Sequence, residues 1–250
     1  MREDHFTYVD KSAFIWKLAT ESRVYFLSRP RRFGKSLFLS TLAAHFRGQK
    51  ELFKGLAIEQ LEESEKNDRA VWQEYPVLYL DFNTKNYSNE QALTAILNAH
   101  LRDWEETFAL EQRDEAPDTR FKDLIQRIYR QTGKQVVILV DEYDKPLLQT
   151  MGVNEALNEK YRNELKAFYS VIKTCDQYIR FAFLTGVTKF SKISIFSDLN
   201  NLRDISMEED YAGICGITQE ELEANFQSEI QILATRQDLT YQQALAELKQ

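Results

Sequence analysis

Short solid apolar runs alternate along the chain with longer stretches in which apolar side chains recur every third or fourth position. That alternation of strand and helix builds a parallel sheet covered on both faces. Val24-Tyr25-Phe26-Leu27, Val77-Leu78-Tyr79-Leu80-Asp81-Phe82, Val136-Val137-Ile138-Leu139-Val140 and Ile179-Arg180-Phe181-Ala182-Phe183-Leu184 are the predicted strands, with Leu202-Arg203-Asp204-Ile205 as a fifth. Helical spacing predicts a short first helix with Phe14, Ile15 and Leu18 inward, capped by Asp10 or Ser12, and another from Lys35 toward Phe46. Further helices are expected over 89–108, 119–129 and 154–173, at a capping box formed by Thr218 and Glu221, and over 241–248. Lys145-Pro146 reads as a break, and 47–74 as solvated surface anchored by Trp72. The fold class is α/β: a three-layer sandwich with a central, mostly parallel sheet. The expected division is a core over 1–216 and the first part of a helical lid over 217–250.

Between the first strand and the helix at Lys35 lies Ser28-Arg29-Pro30-Arg31-Arg32-Phe33-Gly34-Lys35-Ser36-Leu37. A polyphosphate needs backbone N–H donors gathered at a helix N-terminus, where the helix dipole also favours negative charge. Gly34 lets the backbone approach the phosphates, Lys35 can reach the β and γ oxygens, and the Ser36 hydroxyl can bind Mg²⁺. The first glycine of G-x-x-x-x-G-K-[ST] is replaced by Arg29, and Pro30 can pre-shape the turn in its stead. Arg29, Arg31 and Arg32 bring positive charge to the loop. An ordinary basic turn is the competing reading.

A second element supports the first. The run 136–140 is apolar throughout, as a strand buried on both faces should be, and it ends in Asp141-Glu142. Acids at the C-terminal end of such a strand enter the crevice where ligands of open α/β sheets bind. Asp141 suits Mg²⁺ and Glu142 suits the activation of water. Asp81 reads as a turn cap, with a place behind the Mg²⁺ ligands as the alternative. After the strand ending at Leu184, Thr185 is the first candidate for sensing a γ-phosphate and Thr188 the second, against a hydroxyl turn held by its own backbone. Lys189, Lys192 and Arg203 are open candidates for supplying charge to phosphates.

Several motifs in order resemble the predicted AAA-ATPase-like family of bacterial proteins: Tyr8-Val9-Asp10-Lys11-Ser12, the loop from Phe26 to Ser36, Asp141-Glu142-Tyr143-Asp144-Lys145-Pro146, Leu184-Thr185-Gly186-Val187-Thr188-Lys189-Phe190, and the run from Ile195 to Leu202. In that family arginine commonly stands where Arg29 does. The resemblance implies a P-loop NTPase core with Walker A and Walker B elements, and an added strand between the phosphate-loop strand and the acidic strand. It also implies adenine as the base, with Tyr8 or its neighbours beside it. Members often continue into a restriction-endonuclease-like nuclease domain, and this chain is expected to stop before one.

Composition narrows the field. A net charge of −7 argues against a globally basic nucleic-acid binder. Nucleic acid is therefore expected only through a C-terminal nuclease-like domain. No apolar run approaches a membrane span, so no membrane partner is expected and the cytoplasm is the expected location. Cys175 and Cys215 stand apart, as reduced structural thiols do, and His5, His45 and His100 are scattered.

The function expected is Mg²⁺-dependent binding of ATP, with slow hydrolysis used as a conformational switch acting on a protein partner or appended effector domain. Lys35, Glu142 and Thr185 are the catalytic candidates, and Ser36 and Asp141 the metal ligands. The alternatives are a nucleotide-binding interaction module without turnover, a P-loop small-molecule kinase, and a nuclease using Asp141, Glu142 and Lys145.

Overall fold

In the computed structural model, which describes residues 6–64, 72–83, 86–188, 195–197 and 199–248, the apolar runs become one five-stranded sheet. Its strands are β1 (Val24–Ser28), β2 (Val77–Asp81), β3 (Val136–Asp141), β4 (Ile179–Gly186) and β5 (Arg203–Asp204). They lie in the order β2-β3-β4-β1-β5, and every pairing is parallel. β4 thus separates the strand that feeds the loop 29–37 from the acidic strand, as the family resemblance implies.

Side chains alternate across the sheet, and each face has its own apolar layer. Val136, Ile138 and Val140 of β3 join Phe26, Leu78 and Leu184 against one group of helices: α4 (Ala92–Thr107), α5 (Pro117–Thr132) and α7 (Glu155–Thr174). Val137 and Leu139 join Tyr25, Leu27, Phe181 and Phe183 against α1 (Ser12–Glu21) and α2 (Lys35–Phe46) on the other. The burial of both faces explains why β1, β3 and β4 read as solid apolar runs.

The motif at Tyr8-Val9-Asp10-Lys11-Ser12 acts as a staple. Asp10 accepts from the N–H of Ser12 at 2.8 Å and from that of Ala57 at 2.7 Å, while the Ser12 hydroxyl accepts from Ile58 at 3.1 Å. One short segment thereby satisfies backbone donors at the starts of both α1 and α3 (Ala57–Ser64). α3 lies in the stretch read as solvated surface. Its one fully buried apolar residue is Ile58, too sparse a stripe for periodicity to reveal. Trp72 packs on His45 and Phe53 and anchors the end of this stretch, as expected.

Lys145-Pro146 opens a helix instead of breaking the backbone. Pro146 lies in the first turn of α6 (Lys145–Thr150), where its missing N–H would have had no helical partner in any case. After β5 come α8 (Gln219–Asn225), α9 (Gln227–Arg236) and α10 (Tyr241–Glu247). The Thr218–Glu221 capping box is present at α8, whereas α9 begins after a break at Phe226 that the sequence reading did not resolve. Ile230, Ala234, Ala244 and Leu245 give these helices a small apolar cluster of their own. The Lys11 ammonium donates to both carboxylate oxygens of Glu221, at 2.6 and 2.5 Å, and ties α8 to the N-terminal segment. Among the described residues no helix is long and apolar enough to cross a membrane.

Candidate functional site at the C-terminal sheet edge

Parallel register brings the strand ends together. Leu27 pairs with Thr185, Ser28 with Gly186, Val140 with Leu184 and Asp81 with Asp141. Everything that follows these residues emerges at one edge of the sheet, the edge where open α/β folds bind ligands.

The loop between β1 and α2 reverses through two left-handed residues, Arg32 (φ 66) and Gly34 (φ 87). Glycine takes that conformation without Cβ crowding, and Gly34 takes it as the N-cap of α2. Lys35 is the first residue of the helix and only 4% exposed. Its ammonium donates to the carbonyls of Arg29 at 3.0 Å and Pro30 at 3.2 Å, and lies 3.1 Å from Glu142 Oε1. Two backbone carbonyls thus take its hydrogen bonds, and the carboxylate balances its charge. Ser36 and Leu37 follow on the exposed side of the first turn, and Pro30, Arg31, Arg32 and Phe33 are exposed as well.

Arg29 differs from its neighbours. Its guanidinium donates to the carbonyls of Ser28 at 3.1 Å, Ser206 at 2.6 Å and Tyr211 at 3.2 Å. Arg203 is likewise committed elsewhere: it forks onto Glu208 and reaches Glu21. Burial pushes the Glu21 carboxyl up, but the Tyr211 hydroxyl and the charges of Arg203 and Lys17 outweigh it and hold the group below its usual range. Lys189 and Lys192 lie outside the described residues.

At the end of β3, Asp141 is buried and accepts from the Thr185 hydroxyl at 2.9 Å, while Thr185 itself is 0% exposed. Tyr79 of β2 adds a group that sequence reasoning did not single out. Burial raises its phenol far above the usual range, and the nearby Asp141 and Asp81 carboxylates raise it further, so it remains a donor. Its signal would have been its place one strand away and two residues before Asp81. Asp81 accepts from the Asn83 N–H at 2.7 Å, as a turn cap does.

Glu142 is in the left-handed region (φ 54) and 9% exposed. The next residues lock the neighbouring turn: Asp144 accepts from the Val187 and Thr188 N–H groups and from the Thr188 hydroxyl. Thr188 is therefore bound to Asp144, and Thr185 to Asp141. Gly186 allows the close approach. A Cβ there would stand 2.4 Å from the Tyr143 ring. Of the motif from Ile195 to Leu202, Phe196 packs on Phe26, Tyr143 and Tyr169, so this part of it is core.

Beside the loop lies a cleft of about 260 Å³, lined by Tyr8, Gly34, Leu37, Thr41, Cys215 and Phe226 among others. Phe33, Leu37 and Ile217 expose apolar surface around it. Burial pushes the Cys215 thiol up to about 11, against the pull of Arg29, Lys35 and Lys11, so it stays protonated. Both cysteines are free and buried.

A parallel sheet in this order, with a loop running into a Gly-Lys-Ser helix start beside paired acids, defines a P-loop NTPase-like sandwich. The family model described as predicted AAA-ATPase matches residues 1–196, and the chain belongs to that family. It is 42% identical over 228 residues to a protein of Azotobacter chroococcum mcd 1 described as "Uncharacterized protein in vnfD 5'region". That match covers 91% of this chain and 42% of the relative, so the chain spans less than half of the relative's length. No solved structure matches it.

Proposed function

We propose that this domain binds Mg²⁺·ATP on the loop 29–37 and hydrolyses it slowly, the cycle serving as a conformational switch. The observation that carries the reading is the pairing of Lys35 with Glu142 and of Thr185 with Asp141 at one edge of the sheet, where Lys35 opens the helix after β1 and the acids and Thr185 end β3 and β4. Membership of a predicted AAA-ATPase family supports a nucleotide as the ligand.

Lys35 would hold the β and γ phosphates once released from its internal acceptors, and backbone donors at the start of α2 would share the remaining charge. Ser36 and Asp141 would hold Mg²⁺. Among the described residues no three His, Cys, Asp or Glu side chains form a metal cluster. Mg²⁺ keeps waters and substrate oxygens around one or two protein ligands, so Ser36 and Asp141 would be enough to hold it. When bound, the cation neutralises charge on the phosphates. Glu142 accepts a proton from the attacking water, and Thr185 keeps Asp141 oriented. The largely apolar cleft beside Tyr8 and Leu37 has the character of a base site, with adenine as the proposed base.

The partner of the switch would be another protein or a further domain, in line with the greater length of the Azotobacter relative. The test is ATP binding with and without Mg²⁺, and phosphate release, in wild type and Lys35→Ala. Wild type should bind and release phosphate, and the variant should lose binding. Equal behaviour of the two proteins overturns the reading.

A further inference from the structure

We propose that Arg29 is a positioning residue that tethers the phosphate loop to residues 206–216, so that glycine at this position impairs nucleotide binding instead of improving it. The proposal rests on the phosphate-loop reading above.

Glycine opens the usual loop because it frees the backbone at that point. Here the backbone does not use that freedom: Arg29 is absent from the described residues with positive φ, whereas Arg32 and Gly34 are among them. A side chain is therefore tolerated, and this one makes long-range contacts. Two of the carbonyls it reaches, Ser206 and Tyr211, lie 177 and 182 residues away in sequence. A planar guanidinium spans such divergent acceptors, which a lysine ammonium on a flexible stem does not reproduce.

The same segment holds the loop elsewhere. The Ser28 N–H donates to the buried Ser206 hydroxyl at 2.9 Å, and the Gly216 N–H donates to the Phe33 carbonyl at 2.8 Å. Both ends of the loop are thus stapled to residues 206–216. That segment is anchored in turn by Ser206 N–H to Asp204 at 3.0 Å and by the Tyr211 hydroxyl to Glu21 at 2.8 Å. It continues into Ile214, Cys215 and Gly216, which line the cleft. The Arg29 carbonyl is also an acceptor for Lys35. Moving Arg29 would therefore shift the lysine that meets the phosphates and the cleft wall together.

The experiment compares wild type, Arg29→Gly and Arg29→Lys by Mg²⁺·ATP affinity and by hydrogen exchange of the nucleotide-free proteins. Arg29→Gly should weaken binding by about tenfold or more, as expected for the loss of charge-assisted hydrogen bonds. Exchange should rise together in 28–36 and in 206–217 while β3 keeps its protection, with Arg29→Lys intermediate in both readouts. Low-millimolar guanidinium chloride should restore part of the binding of Arg29→Gly, and equal sodium chloride should not. Wild-type affinity in Arg29→Gly overturns the tether. So does exchange that rises in 28–36 alone, which would make Arg29 a local charge. Should Arg29→Gly lose protection throughout, Arg29→Lys carries the comparison. If wild type binds no nucleotide, the phosphate-loop reading fails, and the exchange data still decide the tether.

Discussion

The ammonium of Lys35 lies 3.1 Å from Glu142 Oε1, and both side chains are buried, so the residue read as a phosphate ligand and the residue read as a base are partners. A buried charge without a counter-charge is expensive, and each of these compensates the other. On the proposed function, a triphosphate entering the loop would offer Lys35 a more highly charged acceptor and release Glu142. The pair would then couple occupancy of the loop to availability of the base.

Glu142→Gln keeps the side-chain shape and removes the competing charge. It should bind Mg²⁺·ATP at least as tightly as wild type, with turnover reduced about 10²-fold or more. The nucleotide-free variant should melt lower, because Lys35 loses its counter-charge, and should gain more from Mg²⁺·ATP than wild type does. Thermal melts with and without nucleotide, beside single-turnover phosphate release, test this. Turnover within tenfold of wild type would remove Glu142 from the role of base.

Thr185 is 0% exposed and donates to Asp141, so its contribution is a buried hydrogen bond to a carboxylate. Thr185→Val is close in shape but leaves Asp141 short of a donor, at a cost of about 1–3 kcal/mol. Turnover should fall about tenfold while Thr185→Ser stays near wild type. Equal rates for the valine and serine variants would reduce Thr185 to packing.

The His45 and Glu62 region predicts a pH dependence. Burial pushes the Glu62 carboxyl from its ordinary 4.5 up to about 7, against the pull of Trp72 and the Lys50 charge, and both its oxygens are buried without a hydrogen-bond partner among the described residues. A raised folded value means stability that is fully present below the unfolded pKa and lost as pH rises toward 7. His45 runs the other way. Burial, helped by Arg180, lowers it from 6.5 to about 4, so its contribution is lost as pH falls through that window. Glu62→Gln should therefore raise the melting midpoint at pH 8, by about 2–4 °C for each kcal/mol relieved, and leave it unchanged near pH 4.5. The same shift at both pH values would assign the effect to packing.

Much of this architecture was legible in the chain. Solid apolar runs marked β1, β3 and β4 because strands buried on both faces have no polar side to show. The capping box at Thr218 was legible because its chemistry is complete within four residues. α3 and α9 were not resolved: one buries a single apolar residue fully, and the other completes its packing only with α10. Pro146 pointed the wrong way because proline ends a helix interior yet fits its first turn, and the next turn must be seen to tell which.

The sequence by itself determined the layered α/β class, the loop at 29–37, the acids at 141 and 142, and the family. These depend on local periodicity and on neighbouring residues. Tertiary structure alone decided what the side chains touch: Lys35 on Glu142, Thr185 on Asp141, Arg29 on Ser206 and Tyr211, and Tyr143 against a glycine at 186. Each contact joins positions that parallel pairing and crossover helices bring to one sheet edge. No local pattern encodes such a meeting, because the register between distant strands is set by burial over the whole sheet.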